Sequence, residues 1–436
     1  MVVNLDELFS HGMDYPPAQA EAVSTVGIPP SEGEDQPIAD SLPAEPVAEG
    51  SPASPTADPL ARALPGGGGV YLLTDEHDRI IQLSMAADLR RALLNRLRGD
   101  PGDGPASPAR RRADLGAIVR RIRWRPAHSM FELDFEHQRI ARQIMPPRYL
   151  KDIALAPCWF VHVDVEAPFP RFVPGKALRS PPGVDLGPMP TQAAATRLVE
   201  LLEDAFDLCR YYEVLRQAPH GQRCAYFDMG KCPAPCDGTI GMEAYRDSIS
   251  QALTFAAGER STALDEWHRQ MSAAASELAF ERAAALKQRI ERTAKLSHED
   301  YRHLRPMDAF RYLVVQRGPG TTWTKAFLVS GGRIEPAAPV RLKDLEGAVE
   351  SWIERAKEGV GPEHSQAAQA QGLTPDECIR LMGRYLFKKD PPGLFLHGSE
   401  LLQPDRVCAK IRSRFTAPAK PALQNEIQPV SPPPGG

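Results

Sequence analysis

Four cysteines in the middle of the chain have the type and spacing for metal chemistry: Cys209, then Cys224, Cys232 and Cys236 in RCAYFDMGKCPAPCDG. Gly221, Gly230, Pro233, Pro235 and Gly238 surround them, and rigid turns let several thiolates converge on one point. Soft sulfur ligands suit zinc or an iron–sulfur cluster. A zinc ribbon offers two short CxxC knuckles, which this spacing lacks, so the spacing leans towards a cluster with zinc as the alternative. Buried thiols without a ligand are the plain structural reading. Cys158, Cys378 and Cys408 are isolated and read as core or surface residues. Lys231 and Arg223 add positive charge beside the cysteines, suited to contacting phosphate.

A second feature follows directly. In SELAFERAAALKQRIERT and the residues before it, Met271, Ala274, Ala275, Leu278, Ala283, Leu286 and Ile290 form an apolar stripe. Phe280 and Ala284 widen it, and Glu281 and Arg282 flank it. Such a stripe is core in most helices. Its small residues also let another helix approach closely, as in helix-in-groove docking. The third feature is charge. Residues 1–64 carry eleven acidic side chains against Arg62, whereas 90–125 carry eleven arginines against Asp100, Asp103 and Asp114. The candidates for contacting a nucleic acid are Arg90, Arg91, Arg96, Arg98, Arg110, Arg111, Arg112, Arg120, Arg121 and Arg123. An acidic tail and a basic patch in one chain suggest a DNA partner, against the alternative of a solvated arginine-rich helix and loop.

The elements that must position these residues can be read in order. Residues 1–64 are rich in Pro, Ala, Glu, Asp and Ser and read as a disordered acidic tail, with Leu5–Phe9 as a short interaction motif. GGGGVYLLTD and RIIQLSM read as a hairpin, AADLRRALLNRLR as a helix, 99–109 as a flexible loop, RRRADLGAIVRRIRWRPA as a helix and a strand, and SMFELDFEHQRIARQI as a helix. WFVHVDV and PRFV are strands, 174–190 a Pro/Gly-rich connection, and TQAAATRLVELLEDAFDLCRYYEVL a helix. MEAYRDSISQALTFAAG and 261–298 are helical. After Pro306 come strands FRYLVVQR, TWTKAFLVS and RIEPAAPV, two capped helices, the strand GLFLHG and a last helix near 402–414. Residues 417–436 read as disordered. With 436 residues the chain is long enough for two or three domains. No apolar run approaches a membrane span. MVVNLDELFSHGMDY shows no secretory pattern, so a cytoplasmic protein with reduced thiols is expected, and no membrane partner.

RCAYFDMGKCPAPCDGTIGMEAYRDSISQALTFAAG resembles the cysteine region of the UvrC family, the incision component of the excinuclease ABC system in bacterial nucleotide excision repair. DLGPMPTQAAATRLVELLEDAFDLC is similar to the preceding segment of that family, where a Gly-Pro turn, here Gly187–Pro188, leads into a helix ending at the first cysteine. The resemblance implies that Cys209, Cys224, Cys232 and Cys236 hold an iron–sulfur cluster of the 4Fe–4S type. ELAFERAAALKQRI resembles the UVR motif of UvrB and UvrC, with Phe280–Ala284 matching its Phe-Glu-Arg-Ala-Ala run and Lys287–Gln288 replacing the following Arg-Asp pair. It implies docking on a UvrB-like partner through Leu278, Phe280, Glu281, Ala283, Ala284, Leu286 and Ile290.

Residues 66–150 resemble the GIY-YIG nuclease domain that opens UvrC, with Gly69–Val70–Tyr71 as its first motif and Ile81–Leu89 over the second. That chemistry neutralises a phosphodiester's developing charge and activates water with tyrosines, an arginine, a lysine and a metal-holding carboxylate. Here Gln82, Ser84 and Met85 stand at the second-motif tyrosine, glycine and following lysine, and Ala92 at the helix arginine. Arg91 is adjacent but points about 100° away around the helix. Tyr71 and Glu136 are what remain, and a domain without nuclease activity is expected. The expected architecture is α+β: a degenerate GIY-YIG-like α/β domain at 65–150, linker strands and a four-cysteine helical region at 151–259, a UVR helical hairpin at 260–298, and a small α+β domain of unassigned chemistry at 306–416. The leading expectation is a UvrC-like repair protein that binds DNA and a UVR-bearing partner. One alternative is an active divergent nuclease using Tyr71, Arg91 and Glu136 with Mg²⁺ held by Glu136. The other is an iron–sulfur scaffold or redox sensor that does not act on DNA.

Overall fold

A computed structural model describes residues 4–15, 59–98, 115–146, 149, 153, 155–179, 181–358 and 372–416. The tail segments expected at 16–58 and 417–436, the loop 99–109 and Arg110, Arg111 and Arg112 lie outside the described residues. The architecture is α+β, in two units: Met1–Ala127 and His128–Gly436.

In the first unit an antiparallel sheet runs in the order β1-β4-β2-β3, with β1 at His11–Asp14, β2 at Gly69–Thr74, β3 at Ile80–Ala86 and β4 at Arg121–Pro126. The helix α1 (Leu89–Leu97) places Leu89, Leu93 and Leu97, four residues apart, against Tyr71, Leu73, Ile122 and Trp124. Asp88 caps it by accepting from the Arg91 N–H at 3.0 Å. Gly69 sits where a Cβ would come within 2.6 Å of both the Arg125 carbonyl and the Leu89 side chain, so this turn into β2 needs glycine. The first residues differ from the sequence expectation. Asn4–Tyr15 are ordered, because β1 pairs with β4 and Leu8 and Phe9 are buried. The helix expected before β4 is, over the described residues 115–120, a turn without helix.

In the second unit α2 (Met130–Ile144) comes first. A sheet of β5 (Trp159–Val163), β6 (Val173–Gly175), β7 (Val184–Met189) and β8 (Arg305–Pro306) follows, in the order β6-β5-β7-β8. Between β7 and β8 the chain runs through α3 (Gln192–Ala205), the cysteine segment, α4 (Met242–Ala257), α5 (Ser261–Ser276) and α6 (Phe280–Thr293). These share one core with that sheet, built on Leu198, Leu202, Tyr245, Ile249, Phe255 and Trp267. β7 was hidden in the sequence by Gly187 and Pro188, which interrupt strand patterns.

The last part is a sheet ordered β11-β10-β9-β13, with β9 at Arg311–Arg317, β10 at Trp323–Ser330, β11 at Arg333–Pro336 and β13 at Leu394–His397; β12 (Val340–Arg341) pairs with β10. Alternation along β9 sends Tyr312 and Val314 to one face and Leu313 and Val315 to the other. The second face carries α7 (Leu345–Glu358) and α9 (Pro404–Thr416). The first carries α8 (Pro375–Leu386), opened by a Thr374–Glu377 capping box with Pro375 in its first turn, and also α2.

That position of α2 corrects the expected domain boundary at 150. Phe131 and Phe135 lie among Phe327, Tyr385 and Phe395, so the helix belongs to the second unit. Its buried acids are matched as well: Glu132 with Lys325 at 2.5 Å, and Asp134 with Arg384 at 2.9 Å and the Tyr385 hydroxyl at 2.6 Å. The alternation of acid and aromatic residues in MFELDFEH leaves the partner of this face unstated, which is why the sequence does not assign the helix to the later sheet.

Candidate functional site

The cysteine segment is held by its surroundings rather than by regular structure. Cys209 follows α3 and its N–H donates to the Tyr245 hydroxyl of α4 at 3.2 Å. Arg210 lies over the Tyr226 ring at 4.5 Å, donates to the Lys231 carbonyl at 3.2 Å and pairs with Asp204. It thereby ties the loop between the first two cysteines to the one carrying the third. Gly221 donates to the Cys236 carbonyl at 2.7 Å. Ala234, between Cys232 and Cys236, takes a left-handed backbone at φ 55°, a conformation that non-glycine residues rarely adopt and that is found preferentially where geometry serves a site.

Cys209, Cys232 and Cys236 are buried and Cys224 is half-buried. The Cys209 thiol donates to the Tyr211 carbonyl at 3.6 Å, and the neighbouring Cys232 thiol, then burial, pushes it well above the ordinary thiol range. Cys232 is held below it, first by the neighbouring Cys209 thiol and then by the Ala234 N–H and the Arg210 charge. Burial, then the charges of Asp237 and Cys232, pushes the Cys236 thiol up, and Cys224 also lies within electrostatic reach. Among the described residues no three His, Cys, Asp or Glu side chains are grouped as metal ligands. By donor chemistry the set suits a thiophilic group, since every donor is sulfur.

The hairpin α5–α6 lies beside α3. Its stripe divides. Leu286 is buried and Ile290 and Met271 pack on the core of the second unit, so these three are inward-facing. Ala283 is half-buried, and Glu281 and Ala284 are exposed. The turn presents Leu278 at 71% exposure and Phe280 at 66%, with Leu278 left-handed at φ 58°. Arg289 pairs with Asp207 at 2.6 Å, fixing α6 to the end of α3.

The nuclease positions are divided between the two units: Tyr71 and Arg91 belong to the first and Glu136 to the second. Tyr71 is buried at the middle of β2, opposite Ser84 and Trp124. Arg91 is exposed on α1. Glu136 belongs to α2 in the second unit, where its buried carboxylate pairs with Arg139 at 2.7 Å. This corrects its expected place as a residue of the first domain.

The arginines fall into two groups. Arg90, Arg91 and Arg98 are exposed on or just after α1, and Arg96 is half-buried. Arg120 donates to the carbonyls of Ala117 and Val119. Arg121 pairs with Asp14 at 3.0 Å and Asp78 at 3.1 Å, and Arg123 with Asp6 at 3.1 Å and Asp78 at 3.0 Å. Arg123 is only 5% exposed, so its expectation as a free surface contact is corrected. The side-chain hydrogen bond to Arg123 comes first among the causes holding the Asp78 carboxyl below its ordinary range. Sequence reasoning missed Asp6, Asp14, Asp78, Arg210 and Tyr245. Only the opposite charge of the two ends of the first unit hinted at the first three.

Residues 158–255 match the family described as the UvrC/Cho excinuclease middle domain, a span that encloses all four cysteines. Among curated proteins, the UvrABC system protein C of Methylococcus capsulatus is 28% identical over 234 residues, 52% of this chain and 36% of that protein. The protein of the same name from Desulforudis audaxviator is 28% identical over 231 residues, 52% of this chain and 35% of that protein. That from Caldanaerobacter subterraneus is 25% identical over 291 residues, covering 66% of this chain and 46% of that protein. The chain thus spans between a third and a half of the length of these relatives. No solved structure matches. Among the described residues no helix is long and apolar enough to cross a membrane.

Proposed function

From the premise that this chain is a relative of the UvrC family through its middle domain, we propose that it acts in nucleotide excision repair as a DNA- and partner-binding protein without nuclease activity of its own. The observation that carries this reading is the middle-domain match at 158–255 around the cysteine quartet, joined in one chain to a first unit in which Gln82, Ser84, Met85 and Ala92 stand at the catalytic positions. Cys209, Cys224, Cys232 and Cys236 would hold an iron–sulfur cluster, with zinc as the competing occupant. The cluster would supply a fixed centre for the loop and, in principle, one-electron chemistry. The chain's own part is to fix the loop through Arg210 and the Gly221–Cys236 backbone hydrogen bond and to exclude water by burial.

Nuclease chemistry needs a cation and a proton carrier beside the scissile phosphate. Tyr71 is buried in the sheet, and Glu136 is neutralised by Arg139. The expected result is therefore no nicking of supercoiled or lesion-bearing duplex with Mg²⁺ or Mn²⁺. Metal-dependent nicking that disappears in Tyr71→Phe or Glu136→Ala would overturn this part of the reading. Partner docking is assigned to the hairpin turn. Leu278→Asp and Phe280→Asp are each expected to weaken capture of a UVR-bearing partner by roughly tenfold or more, as for a central apolar contact, with the thermal transition unchanged because both residues are exposed. Unchanged capture in the double variant would rule the turn out.

A further inference from the structure

β1 lies along β4 in antiparallel register, His11 opposite Trp124 and Asp14 opposite Arg121. Arg121, Arg123 and Arg125 alternate along β4 and so share one face of the strand. All three are engaged by the same short stretch of chain. Arg121 Nε donates to Asp14 at 3.0 Å, Arg123 Nε to Asp6 at 3.1 Å, and Arg125 to the carbonyls of Leu8 at 2.6 Å and Glu7 at 3.1 Å. His11 stacks on Trp124 with ring centroids 5.7 Å apart, and Leu8 and Phe9 anchor the stretch by burial.

We infer that β4 is a phosphate-binding surface for nucleic acid and that residues 4–14 are its built-in competitor. Carboxylate and carbonyl oxygens occupy the positions that phosphate oxygens would take on a row of guanidinium groups. The contact has the balance a displaceable competitor requires. Backbone pairing and the buried Leu8 and Phe9 hold it at high effective concentration. Its charged ends are weak, because the Asp6 and Asp14 side chains are 82% and 83% exposed and therefore screened. Asp78 remains beside Arg121 and Arg123 in either state. Eight further acidic side chains between 16 and 58 add like charge to the competing segment. The inference rests on the DNA-binding reading above and adds how access to that surface is controlled.

The test compares the full chain, the chain lacking residues 1–15, and a D6N/D14N chain that keeps the backbone pairing, by anisotropy of a labelled duplex across a salt series. D6N/D14N is expected to bind about three- to tenfold more tightly at low salt, in line with the loss of two exposed ion pairs. The shortened chain should bind more tightly still, with a salt dependence steeper by about one to two phosphate contacts. A synthetic peptide of residues 4–15 added to it should restore the weaker binding. Equal, finite affinity and equal slope in all three chains would overturn this inference alone. No binding by any of them would overturn the DNA-binding reading and this inference with it.

Discussion

A Cys232→Ser chain purified without oxygen is expected to carry almost no iron or sulfide, against about four irons per chain in the parent. Cys232 is the position to change first for physical reasons. It is buried, and it sits where Arg210, donating to the Lys231 carbonyl, and the left-handed Ala234 set the path of the loop. A serine oxygen at this place is a poor ligand for soft metal. The fold of the second unit should survive, because serine is nearly the size of cysteine and the core that holds Cys209 and Cys232 is built mainly on larger side chains such as Leu198, Leu202, Tyr245 and Phe255. A colourless parent with stoichiometric zinc would keep the four ligands and remove the cluster. A parent with neither metal and four titratable thiols would remove both.

Phe131→Ala should lower the stability of the second unit by about 3–5 kcal/mol, the usual range for emptying a buried phenylalanine site. Phe131 is fully buried and contacts Phe327, Tyr385 and Phe395 edge-on, with centroids 5.1, 5.3 and 5.8 Å away. The surrounding sheet and α8 are stiff, so little collapse into the void is expected. Urea unfolding read by probes in each unit would separate two transitions. The later residues' transition should shift, and that of residues 4–127 should stay where it is. A shift in the first transition would return α2 to the domain the sequence suggested.

These two residues also show how far the sequence could be read. After Pro306 β9, β10 and α8 were legible nearly to the residue, since the two strands alternate cleanly and α8 is opened by Thr374, Pro375 and Glu377, whereas RIEPAAPV, expected as one strand, divides into β11 and β12. The helices of the hairpin were legible because a helical stripe is a local signal. What was not legible was partnership. MFELDFEH reads as a helix, but nothing in its pattern says that Glu132 will meet Lys325 or Phe131 will meet Phe327. Composition made residues 1–64 look too polar to order. A strand of four residues can still order when an arginine-rich edge is waiting for it. The docking stripe was read as one face, while packing on α3 takes Leu286 and Ile290 inward and leaves the turn outside.

The pairing of β7 with β8 has a wider consequence. Leu186 faces Pro306 and Gly187 faces Arg305, so the chain leaves and re-enters the sheet at neighbouring points. Everything between, including the cysteine loop and the hairpin, is an excursion with its two ends clasped. A segment with adjacent ends can be exchanged for a foreign one without changing the span its neighbours must bridge. The exchange here is limited by the core the excursion shares with the sheet, so a replacement would have to supply the apolar side chains that Leu198, Tyr245 and Phe255 now pack against β5 and β7. The clasp also forms only after the whole excursion has been made, which places it among the late, long-range pairings of folding.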